Sequence, residues 1–303
     1  MTSVSQCALE AHLAIVGLDD GKAVPQRVCL ISLERPDSVS TMDFTPARVG
    51  HGSTACVVDK TLYVVGIGHA CNELWKWNAT SDWTRCADMT SYRRHHFVAV
   101  IDSTIYALGG APFAGGTLLT SIEAYNTEAA DEWFAAGQLN NAVIDAACVS
   151  YNKSIYVFGG VDTNDKQVAH VQMYDAAQRQ CTLLPDAMPQ AHKEMRAVVW
   201  ETCAVLLGGV ACFVYNFEAP AGQKWLNRES FKTDARFFGL VSHKERLFIA
   251  GGGYRAPTAE VRSVWVRDVI EDKQGARWEH HATLPQPSLV YAFSPVPLYR
   301  ALA

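Results

Sequence analysis

Four groups of residues in this chain of 303 carry side chains able to do chemistry. Two pairs of adjacent histidines, His95/His96 and His280/His281, offer metal ligands, and nine cysteines, at positions 7, 29, 56, 71, 86, 148, 181, 203 and 212, offer thiolates. Two carboxylate pairs, Asp19/Asp20 and Glu271/Asp272, offer acid–base groups. Five cations, Arg93, Arg94, Lys193, Arg236 and Arg255, offer donors for carboxylates or phosphates. Spacing decides among them. The histidine pairs fall in strand-like contexts, where neighbours point to opposite faces, so neither pair chelates. The cysteines form no Cys-x-x-Cys, their odd number would leave one unpaired in a secreted chain, and Cys56, Cys148 and Cys203 lie in or beside apolar strands. They read as buried free thiols. The carboxylate pairs sit in polar loops, where solvation accounts for them. No Gly-x-Ser-x-Gly elbow, Walker loop or His-Glu-x-x-His helix occurs. The expectation is a protein that binds rather than catalyses, with no metal and no cofactor.

Composition narrows the partner. A formal net charge of -5 at pH 7 supplies no basic field for nucleic acid or an anionic membrane, so neither is expected. No run approaches the roughly 20 apolar residues of a membrane span, and "MTSVSQCALE" lacks the segments of a signal peptide, which predicts a cytoplasmic protein. Apolar residues at 49% against 19% charged suffice for a sizeable core.

The elements that must position the cations repeat. An apolar strand ending in glycine recurs six times, as LAIVG at Gly17, LYVVG at Gly66, IYALG at Gly109, IYVFG at Gly159, AVLLG at Gly208 and LFIAG at Gly251, about 43 to 50 residues apart. Four copies carry a glycine pair: Gly109/Gly110, Gly159/Gly160, Gly208/Gly209 and Gly251/Gly252. Upstream lies a second apolar strand across a short polar turn, as in TACVVDKTLYVVG, a hairpin signal. Downstream come an aromatic strand and usually a tryptophan: Tyr125 and Trp133, Tyr215 and Trp225, Trp265 and Trp278. Each unit offers four short strands, the content of one propeller blade.

These motifs resemble the Kelch repeat over essentially the whole chain, with Cys181 standing where blade four would carry its tryptophan. The resemblance implies an all-β, six-bladed propeller with four antiparallel strands per blade. Blade one takes about residues 7–47 plus 288–298, blade two 48–93, blade three 94–143, blade four 144–193, blade five 194–236 and blade six 237–287. The C-terminal segment SLVYAFSPVPL reads as a first strand without a blade after it, so it is expected to complete blade one and remove two open edges. The glycines permit positive φ and close backbone approach where strands end near the axis. Small residues in the first strands, Gly50, Gly52, Ala99, Ala146, Ala147, Ala197 and Gly239, are expected to line the channel.

Antiparallel order places the inter-blade loops and the post-glycine loops on one face. That face is expected to bind an acidic or polar peptide segment through Arg93, Arg94, His95, His192, Lys193, Arg236, His69, Phe113, Tyr254 and Arg255. The family resemblance adds an expectation of its own: such propellers resemble the substrate-reading module of BTB-BACK-Kelch adaptors of cullin-RING ubiquitin ligases, whose BTB and BACK regions have no counterpart in these residues. The alternative within the resemblance is an actin-binding or cytoskeletal scaffold. A galactose-oxidase-like copper enzyme fits less well, because the histidine pairs and cysteines are arranged as above, and the sialidase-type Ser-x-Asp-x-Gly-x-Thr-Trp box is absent.

Overall fold

The computed structural model describes residues 10–18, 27–43, 53–68, 71–78, 81–113, 116–208, 211–226, 238–251, 263–268, 278–284 and 292–298. Among the described residues the chain is all β. The first seven strands are β1 (Glu10–Leu18), β2 (Arg27–Ser32), β3 (Val39–Asp43), β4 (Thr54–Val58), β5 (Thr61–Ile67), β6 (Glu73–Asn78) and β7 (Ser81–Arg85). The middle of the chain gives β8 (Phe97–Ile101), β9 (Thr104–Leu108), β10 (Ser121–Asn126), β11 (Trp133–Gln138), β12 (Ala147–Tyr151), β13 (Ser154–Phe158), β14 (Val171–Asp175) and β15 (Gln180–Leu183). The rest are β16 (Arg196–Trp200), β17 (Cys203–Gly208), β18 (Ala211–Asn216), β19 (Trp225–Leu226), β20 (Gly239–His243), β21 (Arg246–Ala250), β22 (Ser263–Asp268), β23 (Glu279–Thr283) and β24 (Ala292–Leu298).

These strands form four-stranded antiparallel sheets, the blades of a propeller. Blade one has the order β24, β1, β2, β3; the others run β4 to β7, β8 to β11, β12 to β15, β16 to β19 and β20 to β23. The innermost strands touch in the cyclic order β24, β4, β8, β12, β16, β20, and β20 meets β24 again.

The apolar strands have no polar alternation because both of their faces are covered. In β9, Ile105 and Ala107 pack into the core shared with blade two, whereas Tyr106 and Leu108 pack into the core shared with blade four. Blade one does the same in β2: Val28 and Leu30 face blade two, and Cys29 and Ile31 face Val241, Phe248 and Val264 of blade six. A strand buried on both faces reads as a continuous apolar run.

Strand β24 pairs with β1 alone, in the register Ala11↔Pro297, His12↔Val296 and Leu13↔Pro295. Proline has no N–H for a ladder, and a strand at the sheet's inner edge has one row of N–H groups that requires no ladder partner. Prolines at two alternate positions match that row.

The small residues are not arranged as expected. Ala99, Ala146 and Ala147 are buried in the cores between blades rather than lining the channel. The residues alternating with Ala99 and Ala147 are half-buried, and there Cys148 Sγ and Ser150 Oγ reach the carbonyls of Val98 and Val100 on the adjacent inner strand. Period-two alternation fixes which set faces inward, and side-chain size does not override it. Gly50 and Gly52 lie outside the described residues.

Polar ties cross the outer parts of the blades. The Trp133 indole donates to Ala87 C=O at 3.0 Å and the Trp225 indole to Asp186 C=O at 3.2 Å, each reaching the end of the preceding blade. Blade four has Cys181 opposite Tyr174, the site Trp133 takes opposite Tyr125, and there the Tyr174 hydroxyl donates to Ala136 C=O instead. Replacing Trp225 by phenylalanine keeps most of the packing and removes the donor. Denaturant titration is expected to show a loss of about 1 kcal/mol, and no loss would show the tie to be incidental. Deleting residues 287–303 exposes the edge of β1, so a lower thermal midpoint is expected; an unchanged midpoint would contradict a role for β24 in closing the ring.

Candidate functional site

The segments between blades and the segments after the glycines meet at one end of the channel, joined by backbone hydrogen bonds. Arg94 and Ala111 exchange both their N–H···O=C bonds, at 2.7 and 2.9 Å, and Ile144 and Val161 do the same one blade later at 3.1 and 2.9 Å. The Gly110 N–H donates to Val143 C=O at 3.3 Å, and the Gly160 N–H to His192 C=O at 2.9 Å. A Cβ on Gly160 would lie 2.6 Å from the Ile144 carbonyl, at a φ of +98°, so only glycine fits. Gly208 answers a different demand: a Cβ there would meet the Met195 side chain at 2.8 Å.

Three residues at the same place in successive repeats, each fourteen before its glycine, carry this face. His95, Asp145 and Glu194 have left-handed φ values of 54°, 53° and 57°. The Asp145 N–H donates to His95 C=O at 3.3 Å, and the Glu194 N–H to Asp145 C=O at 2.9 Å, so the backbone steps from blade to blade around the mouth. Each such conformation costs a non-glycine residue about 1 to 2 kcal/mol, and it persists because the surrounding bonds determine it.

Arg93 corrects the sequence reading. It is fully buried and faces no partner. Its guanidinium donates to Glu123 Oε1 at 2.8 and 3.2 Å, to the carbonyls of Gly109 and Ser121 at 2.8 Å each, and to Ser121 Oγ at 2.8 Å. Glu123 also accepts from the Thr90 N–H at 2.7 Å, the Thr90 hydroxyl at 2.6 Å and the Ser91 N–H at 3.1 Å. Burial pushes the Glu123 carboxyl up, but the Thr90 and Arg93 donors outweigh it and hold it below the ordinary value. The pair fastens the inter-blade loop to β10 and to the post-glycine turn. Blade four performs the same fastening without charge: Gln172, in the place of Glu123, accepts from the Asn141 N–H at 2.8 Å and donates to Asn141 C=O at 3.1 Å, and Val143 stands in the place of Arg93.

The remaining cations of the face sort by partner. His95 is 43% exposed at its side chain, and its Nδ1–H donates to Asp145 at 2.8 Å; that bond raises its pKa. His96, its neighbour, is buried, and its Nδ1–H donates to Arg93 C=O at 3.2 Å. Burial, then the Arg93 charge, push it down to about 3. Lys193 pairs with Glu194 at 3.3 Å, and His192 Nδ1–H donates to Lys193 C=O at 2.8 Å. Asp145 and Glu194 also oppose the downward pull of burial on Arg196. Arg94 is half-buried, and its guanidinium makes no hydrogen bond or ion pair among the described residues. Phe113 is 61% exposed. Tyr92, 53% exposed, belongs with it and was not among the expected residues. Arg236, Tyr254, Arg255, His69, Gly209 and Gly252 lie outside the described residues.

Among the described residues no group of three or more His, Cys, Asp or Glu side chains is placed to hold a metal ion. The described cysteines form no disulfide with one another, and burial pushes the Cys29 and Cys148 thiols up to about 12, far from thiolate character. No helix of the described residues is long and apolar enough to cross a membrane.

No protein-family model matches the chain. Among curated proteins it is 30% identical over 262 residues to the "Kelch repeat and BTB domain-containing protein 4" of Macaca fascicularis, covering 84% of this chain and 47% of that one. It is 28% identical over 238 residues to "Kelch-like protein terF" of Aspergillus terreus, covering 71% and 50%, and 25% identical over 202 residues to "Alpha-scruin" of Limulus polyphemus, covering 67% and 18%. Relatives with Kelch repeats join a blade architecture that the glycine-ended strands build. The protein is a Kelch-repeat β-propeller. This propeller spans half or less of the length of each of these relatives.

Arg93→Met strands a buried carboxylate and is expected to cost about 3 to 5 kcal/mol. The double variant Arg93→Val/Glu123→Gln copies Val143 and Gln172 of the next blade and is expected to recover more than half of that. Denaturant midpoints decide it, and a double variant as unstable as the single one contradicts the assignment.

The adjacent histidines should titrate with opposite signs. His95, raised by Asp145, contributes stability that is complete below its unfolded value of about 6.5 and is lost as pH rises through its folded value. His96, depressed to about 3, contributes stability that is lost as pH falls from about 6.5. Thermal midpoints against pH are therefore expected to show His96→Asn with a shallower acid limb than the parent. His95→Asn, which tolerates the left-handed backbone, should differ most from the parent below pH 6.5.

Proposed function

We propose that this propeller is a non-enzymatic, cytoplasmic protein-interaction module that holds an acidic or polar partner segment on the face where inter-blade and post-glycine loops meet. In this reading the blades form one six-bladed ring closed by β24, and no cofactor takes part. The observation that carries the proposal is the backbone ladder through His95, Asp145 and Glu194. It fixes loops from consecutive blades against one another while leaving Arg94, Phe113, His95 and Lys193 partly open to solvent. Rigid loops present recognition groups at low entropic cost. Arg236, Tyr254, Arg255, His69 and His192 belong to the proposed surface; all but His192 are placed there by chain order alone.

The role of substrate receptor for a cullin-RING ubiquitin ligase is the finer part of the proposal. It is supported by the Kelch-adaptor resemblance and by a relative whose name includes a BTB domain outside the matched type of repeat. Affinity capture with the parent chain and with Arg94→Glu/Lys193→Glu/Arg255→Glu, verified as folded, tests both parts. A partner with an acidic segment, lost by the variant and longer-lived when the protein is depleted from cells, is the expected result. Identical partner lists would remove the loop-face reading. A lost partner of unchanged lifetime that sediments with the cytoskeleton would replace the receptor role with a scaffold.

A further inference from the structure

We infer that the corner of blade three formed by Tyr92, Arg94 and Phe113 anchors the partner through a large apolar side chain lying next to a carboxylate. The inference rests on the loop-face reading above and names the chemistry of the segment it takes.

Five large apolar side chains are exposed among the described residues: Tyr92, Phe113, Phe134, Leu183 and Leu226. The last three lie on the outer strands β11, β15 and β19, in different blades. Tyr92 and Phe113 are the two most exposed, and they flank one backbone bridge. The Arg94↔Ala111 bridge is antiparallel, and each aromatic residue lies two positions from it on its open side. The bridge holds the two segments side by side at that point. Both are held in advance of any partner. Pro112 fixes the backbone before Phe113, whose carbonyl accepts from the Gly116 N–H at 3.0 Å. Tyr92 precedes Arg93, the most strongly bonded side chain of the face.

Charge decides what accompanies the apolar group. Arg93 is neutralised by Glu123, His95 by Asp145 and Lys193 by Glu194. Arg94 has no hydrogen bond or ion pair to a carboxylate among the described residues, and its charge bears on His95 beside it. A guanidinium flanked by two exposed aromatic rings accepts a carboxylate in fork geometry while the rings cover an adjacent apolar side chain. A uniformly acidic segment fits less well, because it leaves the two exposed aromatic rings uncovered.

The test is selection of a random dodecapeptide display library on the folded parent chain, on Tyr92→Gln/Phe113→Gln and on Arg94→Gln, each matched to the parent in thermal midpoint. The parent is expected to enrich peptides with Leu, Phe, Tyr or Trp within two residues of Asp or Glu. A synthetic peptide from that pool should bind the aromatic variant about thirtyfold more weakly, and Arg94→Gln should lose the preference for acid. A Tyr92→Leu/Phe113→Leu variant should keep most of the affinity, which separates an apolar anchor from a structural role. Peptides that bind parent and variants equally would overturn the corner and leave the loop-face reading standing. Failure to enrich any peptide above the Arg94→Glu/Lys193→Glu/Arg255→Glu control would overturn both.

Discussion

Neighbouring blades of a propeller share no strand ladder, so their backbones must be joined by something other than sheet. At the mouth of this propeller that joint is a peptide-to-peptide step, Glu194 to Asp145 to His95, made possible by three non-glycine residues in left-handed conformations. Much of the face depends on it. The step sets where the Asp145 carboxylate meets His95, where Glu194 meets Lys193, and how closely the post-glycine turns approach the inter-blade loops. The paired glycines are its counterpart, since a side chain at Gly160 would strike the carbonyl of Ile144, the residue that precedes Asp145. Further out, indole and phenol donors repeat the blade-to-blade tie at larger radius, and the apolar cores fill the space between.

Electrostatics then divides residues that composition leaves alike. An arginine taken out of water needs a full set of acceptors, and Arg93 has them in Glu123, Ser121 and Gly109. Arg94, one residue on, has no acceptor among the described residues. The neutral Gln172–Asn141 pair in the next blade shows that the loop can be fastened without charge. A buried ion pair is therefore not obligatory for stability at this position. What it adds in blade three is a clamp on three elements at once: the inter-blade loop, β10 and the post-glycine turn.

The architecture was legible because its signals are local. A hairpin such as TACVVDKTLYVVG announces two strands and the turn between them, and a run such as IYALG announces a strand buried on both faces. The replacement of tryptophan by Cys181 was visible as a gap in a regular pattern, although its repair by the Tyr174 hydroxyl was not. The site was less legible. Arg93 and Arg94 are the same residue type side by side, and what separates them is Glu123, thirty residues later. A carboxylate inside the apolar strand SIEAYN was the available signal, because a charge on a buried strand requires a buried partner. Chain order puts Tyr92 on this face with Arg93 and Arg94, but nothing in the sequence marks it for binding, because an exposed aromatic residue has the same letter as a core one. Asp145 and Glu194 could have been found by aligning the repeats on their glycines, which sets both in register with His95.

Amide hydrogen exchange at Gly110, Asp145, Gly160 and Glu194 tests the central claim most directly, because these N–H groups make the blade-to-blade bonds in loops that would otherwise be open. The account predicts protection comparable to that of the strand amides of β9 and β13, with exchange governed by global unfolding. Exchange at the rate of unprotected loop amides would contradict it, and the mouth would then be a set of independent loops rather than a preformed recognition surface.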